Sequence, residues 1–257
     1  MQIVYSPLDA LTLAQQNPDR EIVFVGVGFE TTTPLVAMAI KRAAAAGLKN
    51  FSVFGAHKNM PGALEAIIND PQLKVDALIL PGHVSTIIGA EPYRFLAEKY
   101  GIPGVITGFE PVDVLQGIAM IMRQLHEGRA DIEIAYARGV MPEGNPVALA
   151  AIDEVFETCT ALWRGLGEIP GSGYRIREEF AQFDAVRRFQ PDVEPTQDPK
   201  GCRCGDVLRG IMAPNECPLF RKVCTPENPV GPCMVSSEGS CAAYHLSLIH
   251  ISEPTRP

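Results

Sequence analysis

The stretch Ile22-Val-Phe-Val-Gly-Val-Gly-Phe-Glu-Thr-Thr-Thr-Pro34 sets the fold of this chain, because an apolar β-type run passes through glycine directly into the start of a helix. Glycine allows the backbone to turn sharply, and threonine and proline suit the cap and first turn of a helix. A strand joined in this way to a helix is typical of α/β proteins. The sequence therefore predicts parallel strands that are covered by helices.

The same alternation continues to about residue 127. The runs predicted to be strands are 22–27, 51–54, 77–80 and 102–106. The stretches predicted to be helices, from their alanine content or their 3.6-residue apolar spacing, are 35–46, 61–69, 87–100 and 112–126. We expect the carboxyl ends of all these strands to lie on one edge of a sheet, where folds of this class form their sites.

Three of the predicted strands end in short polar motifs. They are Gly28-Phe-Glu-Thr-Thr-Thr-Pro34, Pro81-Gly-His-Val-Ser85 and Gly108-Phe-Glu-Pro111. The repeated Gly-Phe-Glu element suggests an internal duplication of a strand–loop–helix unit. The threonines could serve as helix caps alone, and a buried glutamate could hold a loop by accepting backbone hydrogen bonds. Alternatively, Glu30 and Glu110 form a polar pocket with a helix N-terminus, for a small anionic ligand or the tail of a partner.

Two histidines follow predicted strands. His83 can face a cleft and titrate near neutral pH, and His57 occupies the analogous place after the second strand. Each could simply stabilise its loop, and Ser85 could be only the N-cap of the next helix. Two histidines and two glutamates on one predicted edge favour a functional site there.

Two common nucleotide-binding folds fit the sequence poorly. Gly26-Val-Gly28 follows a strand, but Thr31 stands where a dinucleotide fold has its third glycine, and no acidic residue ends the second predicted strand. The sequence has no Gly-Lys-Ser/Thr triplet, so a phosphate-binding P-loop is not expected either.

Composition excludes further classes of function. The chain has 257 residues, 46% of them hydrophobic, and a formal charge of -8, so no nucleic-acid partner is expected. No apolar run approaches the roughly 18 to 20 residues of a membrane span, and the N-terminal residues do not resemble a signal peptide. We therefore predict a cytoplasmic protein without a membrane partner.

The pattern changes after the α/β part. Cys159 lies on a helical pattern and is predicted to be a packed core thiol. Residues 162–173 are predicted to be a loop anchored by the ring of Trp163, and residues 175–189 an amphipathic helix, because phenylalanine and valine recur there at three-residue spacing.

Six of the seven cysteines cluster near the C-terminus. They are Cys202, Cys204, Cys217, Cys224, Cys233 and Cys241. The residues between them number one, twelve, six, eight and seven, which differs from the paired knuckles of zinc sites. Widely separated thiolates among glycine and proline suit a cubane cluster with four ligands, and leave two cysteines for a redox pair. Zinc and purely thiol chemistry remain the alternatives.

These features divide the chain into four parts. They are the α/β domains (1–160), a connecting loop and helix (161–198), a small irregular cysteine-rich iron–sulfur domain (199–244) and a tail (245–257). The tail resembles a translated sequencing adaptor, so its histidines, His245 and His250, are given no functional role.

Several of these motifs together resemble the HypD family of hydrogenase maturation proteins. The strings that carry the resemblance are the three strand-end motifs quoted above, Glu143-Gly-Asn145, Cys202-Arg-Cys-Gly-Asp-Val-Leu-Arg-Gly210, Glu216-Cys-Pro-Leu-Phe220 and Gly231-Pro-Cys-Met-Val-Ser-Ser-Glu-Gly-Ser-Cys-Ala-Ala-Tyr244. The similarity runs from about residue 3 to residue 244, and its C-terminal strings are highly specific.

The resemblance implies a cytoplasmic scaffold with two α/β domains and a C-terminal domain that holds a [4Fe-4S] cluster. Such a protein assembles the Fe(CN)2CO centre of [NiFe]-hydrogenase with the chaperone HypC, and accepts cyanide from HypE and HypF. By the same likeness the cluster ligands are Cys202, Cys217, Cys224 and Cys241, and the redox pair is Cys204 with Cys233.

A mechanism follows from this resemblance as a hypothesis. The cluster delivers electrons through the thiol pair towards a transient Fe(CN)2CO iron. Glu30, His83 and Glu110 line the cleft that receives the iron, as hydrogen-bond or proton-transfer groups. A stand-alone cluster-dependent thiol/disulfide reductase and a zinc-stabilised binding module are the competing functions.

The sequence departs from the family at its N-terminal side. Family members carry Cys-Gly-Thr-His and Gly-Pro-Gly-Cys-Pro-Val-Cys motifs in an earlier segment, and neither motif occurs in this chain. We therefore expect a fragment whose first α/β domain is incomplete, with exposed sheet edges or apolar faces.

Overall fold

The computed structural model describes residues 1–192 and 199–252, without the side chains of 248–252. The remaining residues of the predicted linker and tail, 193–198 and 253–257, lie outside this description. The chain forms two compact units. One comprises Met1–Glu65, Asp76–Ala161 and Pro170–Asp192, and the other comprises Ala66–Val75, Leu162–Ile169 and the described part of Val193–Pro257.

Helices and strands alternate along the chain as far as residue 189. In chain order the elements up to the second sheet are α1 (Pro7–Gln16), β1 (Ile22–Gly28), α2 (Thr33–Ala45), β2 (Phe51–His57), α3 (Met60–Ile68), β3 (Leu78–Pro81), α4 (Gly82–Ile88), α5 (Arg94–Glu98), β4 (Gly104–Thr107), α6 (Pro111–Glu127) and β5 (Ile132–Ile134). They continue with α7 (Pro146–Val155), β6 (Phe156–Trp163), β7 (Gly167–Ile176) and α8 (Ala185–Phe189).

The strands of the α/β part form two parallel sheets. β1 pairs with β2 from Ile22 opposite Phe51 to Gly28 opposite His57. The other sheet has the order β3-β4-β5, also parallel. The predicted fold class, parallel sheets flanked by helices, is thereby confirmed. The expectation of a single sheet edge is wrong, since the strand ends divide between two sheets, and periodicity does not reveal which strands pair.

Helices α2, α3 and α6 form where the apolar spacing or alanine content predicted them, to within two residues, whereas α1 and α7 were not predicted. In α2 the side chains of Val36, Ile40 and Ala43 recur every three or four residues and are buried. The main core combines α1, α2, β1, β2, α7 and the β6–β7 hairpin, and includes Phe51 and Phe156. The predicted helix 87–100 is divided in two, because Gly89 has a φ of 76° and ends α4.

Two predictions for the following segment are wrong. Residues 156–176 form the hairpin of β6 and β7, so Cys159 lies on a strand and is only half-buried, and residues 162–173 are largely extended. Residues 175–189, predicted to be one helix, instead comprise the end of β7, a 3-10 turn at Glu178–Phe183 and the short helix α8. Three-residue spacing fits both a helix and this 3-10 turn, so the pattern could not separate them.

Apolar side chains are exposed on β1 and on α6, among other elements. On β1, Val25 is 59% and Val27 is 66% exposed. On α6, the exposed apolar residues Val112, Leu115 and Met122 follow one stripe along the helix. No helix in the described part of the chain has the length and apolar character needed to cross a bilayer.

The second unit contains the clustered cysteines and little regular structure. Its helices are α9 (Cys204–Leu208), α10 (Pro232–Val235) and α11 (Ser240–Ser252). α11 extends into the predicted tail, where the His245 ring packs 5.9 Å from the ring of Phe220. The side chain of His250 lies outside the described residues.

Candidate functional site

The six clustered cysteines surround one cavity of the second unit. Its remaining lining residues are Leu219, Phe220, Gly231 and Met234. Five of the six thiols are buried and Cys202 is half-buried, and every cysteine is a free thiol. The sequence predicted that these residues belong together, and the fold brings them to a common wall although they span 40 positions.

Short helices and close backbone contacts position these thiols. Cys204 begins α9, Cys233 lies in α10 and Cys241 in the first turn of α11. A Cβ at Gly231 would lie 2.5 Å from the Sγ of Cys202, and a Cβ at Gly239 would lie 2.4 Å from the carbonyl oxygen of Cys233. Only glycine lets the backbone approach the Cys202 sulfur and the Cys233 backbone so closely.

Three of the thiols interact with one another. The Sγ atoms of Cys233 and Cys241 are 3.2 Å apart, and Cys204 forms a side-chain hydrogen bond to Cys233. The hydrogen bond from Cys204 lowers the pKa of Cys233, whereas loss of hydration raises the pKa of Cys241. Cys233 is therefore the thiol of this group that most readily becomes the nucleophilic thiolate.

The donor set fits a thiolate-bound metal cluster. All titratable groups that line the cavity are cysteines, and thiolates are the ligands that iron–sulfur clusters and zinc prefer. Within residues 1–192 and 199–252, no three His, Cys, Asp or Glu side chains are arranged around the position of a single metal ion. The sulfurs form the wall of a cavity instead, and four thiolates around a cavity suit a cubane.

An arginine that the sequence did not single out caps the C-terminal end of α9. The Arg209 guanidinium donates to the Gly205 carbonyl at 3.0 Å, to Asp70 at 2.6 Å and to Asp206 at 2.7 Å. Arg209 and Asp206 border a second pocket of about 160 Å3, which reaches Cys202 and Cys204. The contact with Asp70 joins residues 139 positions apart, so no local pattern could have indicated it.

His83 and Glu110 lie at the carboxyl edge of the β3-β4-β5 sheet. The exposed ring of His83 packs 4.7 Å from the ring of Phe109 and 6.5 Å from the ring of Tyr136. Glu110 is the N-cap residue of α6, and its largely exposed carboxylate is 3.5 Å from the guanidinium of Arg138. The structure therefore brings these two predicted residues to one edge.

Glu30 has a different environment. It is fully buried beside the other sheet, where one carboxylate oxygen accepts the Met60 amide at 2.8 Å and the other has no hydrogen-bond partner. Burial raises the pKa of this carboxyl. Among the described residues, no hydrogen bond or ion pair joins Glu30 to His83 or Glu110. Glu30 thus holds a loop, as the simpler reading of the sequence allowed.

His57 and Ser85 are likewise buried inside the fold. His57 ends β2, is 2% exposed and has no hydrogen-bond partner at either ring nitrogen. Burial lowers the pKa of His57 to about 4. Ser85 lies inside α4 and donates to the carbonyl of Pro81 at 2.7 Å, so the expectation that Ser85 is an N-cap is wrong, and Pro81 occupies that position.

Comparison with known proteins gives a family for the chain. The family model HypD, described as "Hydrogenase formation hypA family", matches residues 1–247. The chain is 52% identical over 249 residues to the hydrogenase maturation factor HypD of Rhodobacter capsulatus. The matched region covers 95% of this chain and 66% of that relative.

Other relatives show the same extent of similarity. The identity is 48% over 252 residues to the hydrogenase maturation factor HypD of Cupriavidus necator, again 95% of this chain and 66% of the relative. The identity is 42% over 245 residues to a putative hydrogenase expression/formation protein of Methanocaldococcus jannaschii, and the matched region covers 95% of this chain and 68% of that relative. The chain thus spans about two thirds of the length of these relatives.

Proposed function

This chain belongs to the HypD family, and from this membership we propose that it acts in the maturation of [NiFe]-hydrogenase. Its role in this proposal is that of a scaffold and electron relay for assembly of the Fe(CN)2CO centre. The observation that carries the proposal is the convergence of six free cysteines on one cavity of the second unit.

The proposed cofactor is a [4Fe-4S] cluster. Cys202, Cys217, Cys224 and Cys241 would hold it, and when bound it would supply one-electron redox chemistry. Gly231 and Gly239 support this assignment, because the absence of a side chain leaves room for the sulfur of Cys202 and for the backbone at Cys233. The apolar residues Phe220 and Met234 shield the cavity from water.

Cys204 and Cys233 are proposed to form the redox pair. Their thiols are hydrogen-bonded to each other, and this bond favours the thiolate at Cys233. A disulfide between their sulfurs would form with the release of two electrons and two protons, so the reduced pair stores two electrons. The acceptor in this proposal is the iron cargo, which must stay in a low oxidation state while cyanide and carbon monoxide bind.

His83 and Glu110 are proposed to act on that cargo. Both side chains are exposed at the carboxyl edge of one sheet, and together they offer a proton donor and an acceptor. Glu30 lies beside the other sheet, where it is proposed to hold the start of α3 through its bond to the Met60 amide. The proposed partners, a HypC-type chaperone and HypE, rest on family membership.

The cofactor is tested by iron and sulfide analysis of the anaerobically reconstituted chain, with an absorption spectrum. We expect about four iron and four sulfide per chain. Cys217→Ala should lose most of the iron, whereas Cys159→Ala should keep it, because Cys159 lies on β6 outside the cavity. Reconstituted protein without iron, or colourless protein with one zinc, would contradict the cluster.

A second candidate function, a stand-alone thiol/disulfide reductase, is favoured by one observation. The pocket of about 160 Å3 beside Cys202 and Cys204 gives a small disulfide a route to the thiols. Steady reduction of small disulfides without a HypC-type chaperone would support this function. Formation of a stable complex with that chaperone, and no such turnover, would support the maturation scaffold.

A further inference from the structure

The carboxyl edge of the β3-β4-β5 sheet contains an arginine that links the loops around it. Arg138 follows β5, the third strand of this sheet. Its guanidinium contacts Glu110 and Asp113, which follow β4, and stacks on the ring of Tyr136. None of the sequence motifs that led to His83 and Glu110 includes it.

The contact with Asp113 is bidentate, and it joins a buried carboxylate to an arginine side chain that is 53% exposed. The two terminal nitrogens of Arg138 donate to the two carboxylate oxygens of Asp113 at 2.7 and 2.6 Å. The Asp113 side chain is only 7% exposed, unlike the carboxylates of ordinary surface pairs. A Cβ at Gly108 would lie 2.0 Å from this carboxylate, so the loop after β4 lies directly against it.

The stacking contact fixes an aromatic ring. The centre of the guanidinium lies 4.5 Å from the centroid of the Tyr136 ring. Added Cβ atoms at Gly82, Gly108 and Gly139 would lie only 2.7 to 3.0 Å from atoms of that ring. The backbone thus encloses the ring on several sides, and the guanidinium covers it.

These contacts extend to both residues of the proposed edge. The Tyr136 ring lies 6.5 Å from the ring of His83, which also packs on Phe109 of the loop after β4. Glu110 lies 3.5 Å from the same guanidinium. Displacing Arg138 would therefore release Glu110 directly and His83 through Tyr136.

We propose that Arg138 is a positioning residue, which holds Glu110, and through Tyr136 also His83, in the arrangement that acts on the iron cargo. This inference rests on the proposed function of the sheet edge. It requires an arginine, because a lysine cannot make the planar, bidentate contact with Asp113 and stack on an aromatic ring at the same time.

The first test measures position directly. The NMR signals of the His83 ring are recorded in the full chain and assigned by their loss in His83→Gln. We expect Arg138→Lys and Tyr136→Leu to move these signals, because the rings that shield His83 would shift. Arg123→Lys, on the exposed side of α6, should leave them unchanged. Unchanged His83 signals in a folded Arg138→Lys protein would overturn the proposal.

The second test measures function. This chain replaces the matching segment of the Rhodobacter capsulatus relative, and hydrogenase maturation is compared between variants. We expect Arg138→Lys to lower maturation at least about tenfold, because small displacements of reacting groups cost that much or more. Arg123→Lys should have no effect. Full maturation with Arg138→Lys would overturn the positioning role, whereas full maturation with His83→Gln would instead reject the proposed role of the edge.

Discussion

At the scale of single residues, the buried groups of the first unit make its stability depend on pH. His57 has a pKa of about 4 in the folded protein, against 6.5 when it is exposed to water, because burial disfavours the charged ring. Between these values the unfolded chain binds a proton that the folded protein does not. The free energy of unfolding contributed by His57 therefore rises as the pH increases from about 4 to 6.5, and is constant above that.

We predict that His57→Gln removes this dependence. The difference in unfolding free energy between the unmodified chain and His57→Gln should fall by about 3 kcal/mol from pH 7 to pH 4, as measured by urea unfolding. Burial raises the pKa of Glu30, so the contribution of that carboxyl has the opposite sign and is lost as the pH rises from 4.5. Both proteins contain Glu30, so the comparison cancels it. Parallel pH profiles for the two proteins would show that the ring is not buried as a neutral group.

At the scale of helices and strands, the structure separates two N-caps that look equivalent in sequence. The side chain of Asn145 accepts the amides of Val147 and Ala148, both at 3.1 Å, and α7 packs in the main core. Thr32 occupies the same position before α2, but its side chain makes no cap hydrogen bond and instead donates to the Phe29 carbonyl.

We predict that Asn145→Ala lowers the free energy of unfolding by about 1 kcal/mol, because two amides at the start of α7 lose their acceptor. Thr32→Ala should lower it by no more than about 0.5 kcal/mol, as for an ordinary surface substitution. Urea unfolding of the two variants at neutral pH measures both values. Equal losses in the two variants would contradict the difference in capping.

The sequence was sufficient for elements whose signals are local. The strand and helix starts around residues 22–34 were predictable because apolar runs, glycine and proline act within a few positions of one another. The hairpin that contains Cys159 was missed, since its residues are stabilised by pairing with another strand. Arg138 was missed for the same reason, because its partner Asp113 is 25 residues away and meets it only after folding.

At the scale of the whole molecule, each compact unit is built from separate segments of the chain. The cysteine-rich unit includes Ala66–Val75 and Leu162–Ile169, both from before the cysteines. The presence of the cysteine cluster was predictable from composition and spacing. The contribution of the earlier segments was not, because it depends on contacts such as that between Arg209 and Asp70.

We predict that Arg209 keeps the cysteine-rich unit closed. Arg209→Met removes the donors to Gly205, Asp70 and Asp206, and leaves the partly buried carboxylate of Asp70 without its cation, whereas Asp206 keeps its ion pair with Arg203. Iron in the reconstituted chain should then pass to a chelator about tenfold faster, the effect expected from loss of a charge-assisted hydrogen bond. Arg203→Met is the control. It removes only the ion pair between Asp206 and Arg203, whose side chain is 54% exposed, and should accelerate the loss of iron a few-fold at most.

Hydrogen exchange gives a measure of the same closure that does not depend on iron. The Lys74 amide donates to the backbone carbonyl of Arg209 at 3.4 Å, and so reports whether the segment Ala66–Val75 stays attached to the turn after α9. This amide should exchange faster in Arg209→Met than in Arg203→Met, because only the first substitution removes the bond to Asp70. Equal exchange rates and equal iron loss in the two variants would mean that the cysteine-rich unit is closed by other contacts than those of Arg209.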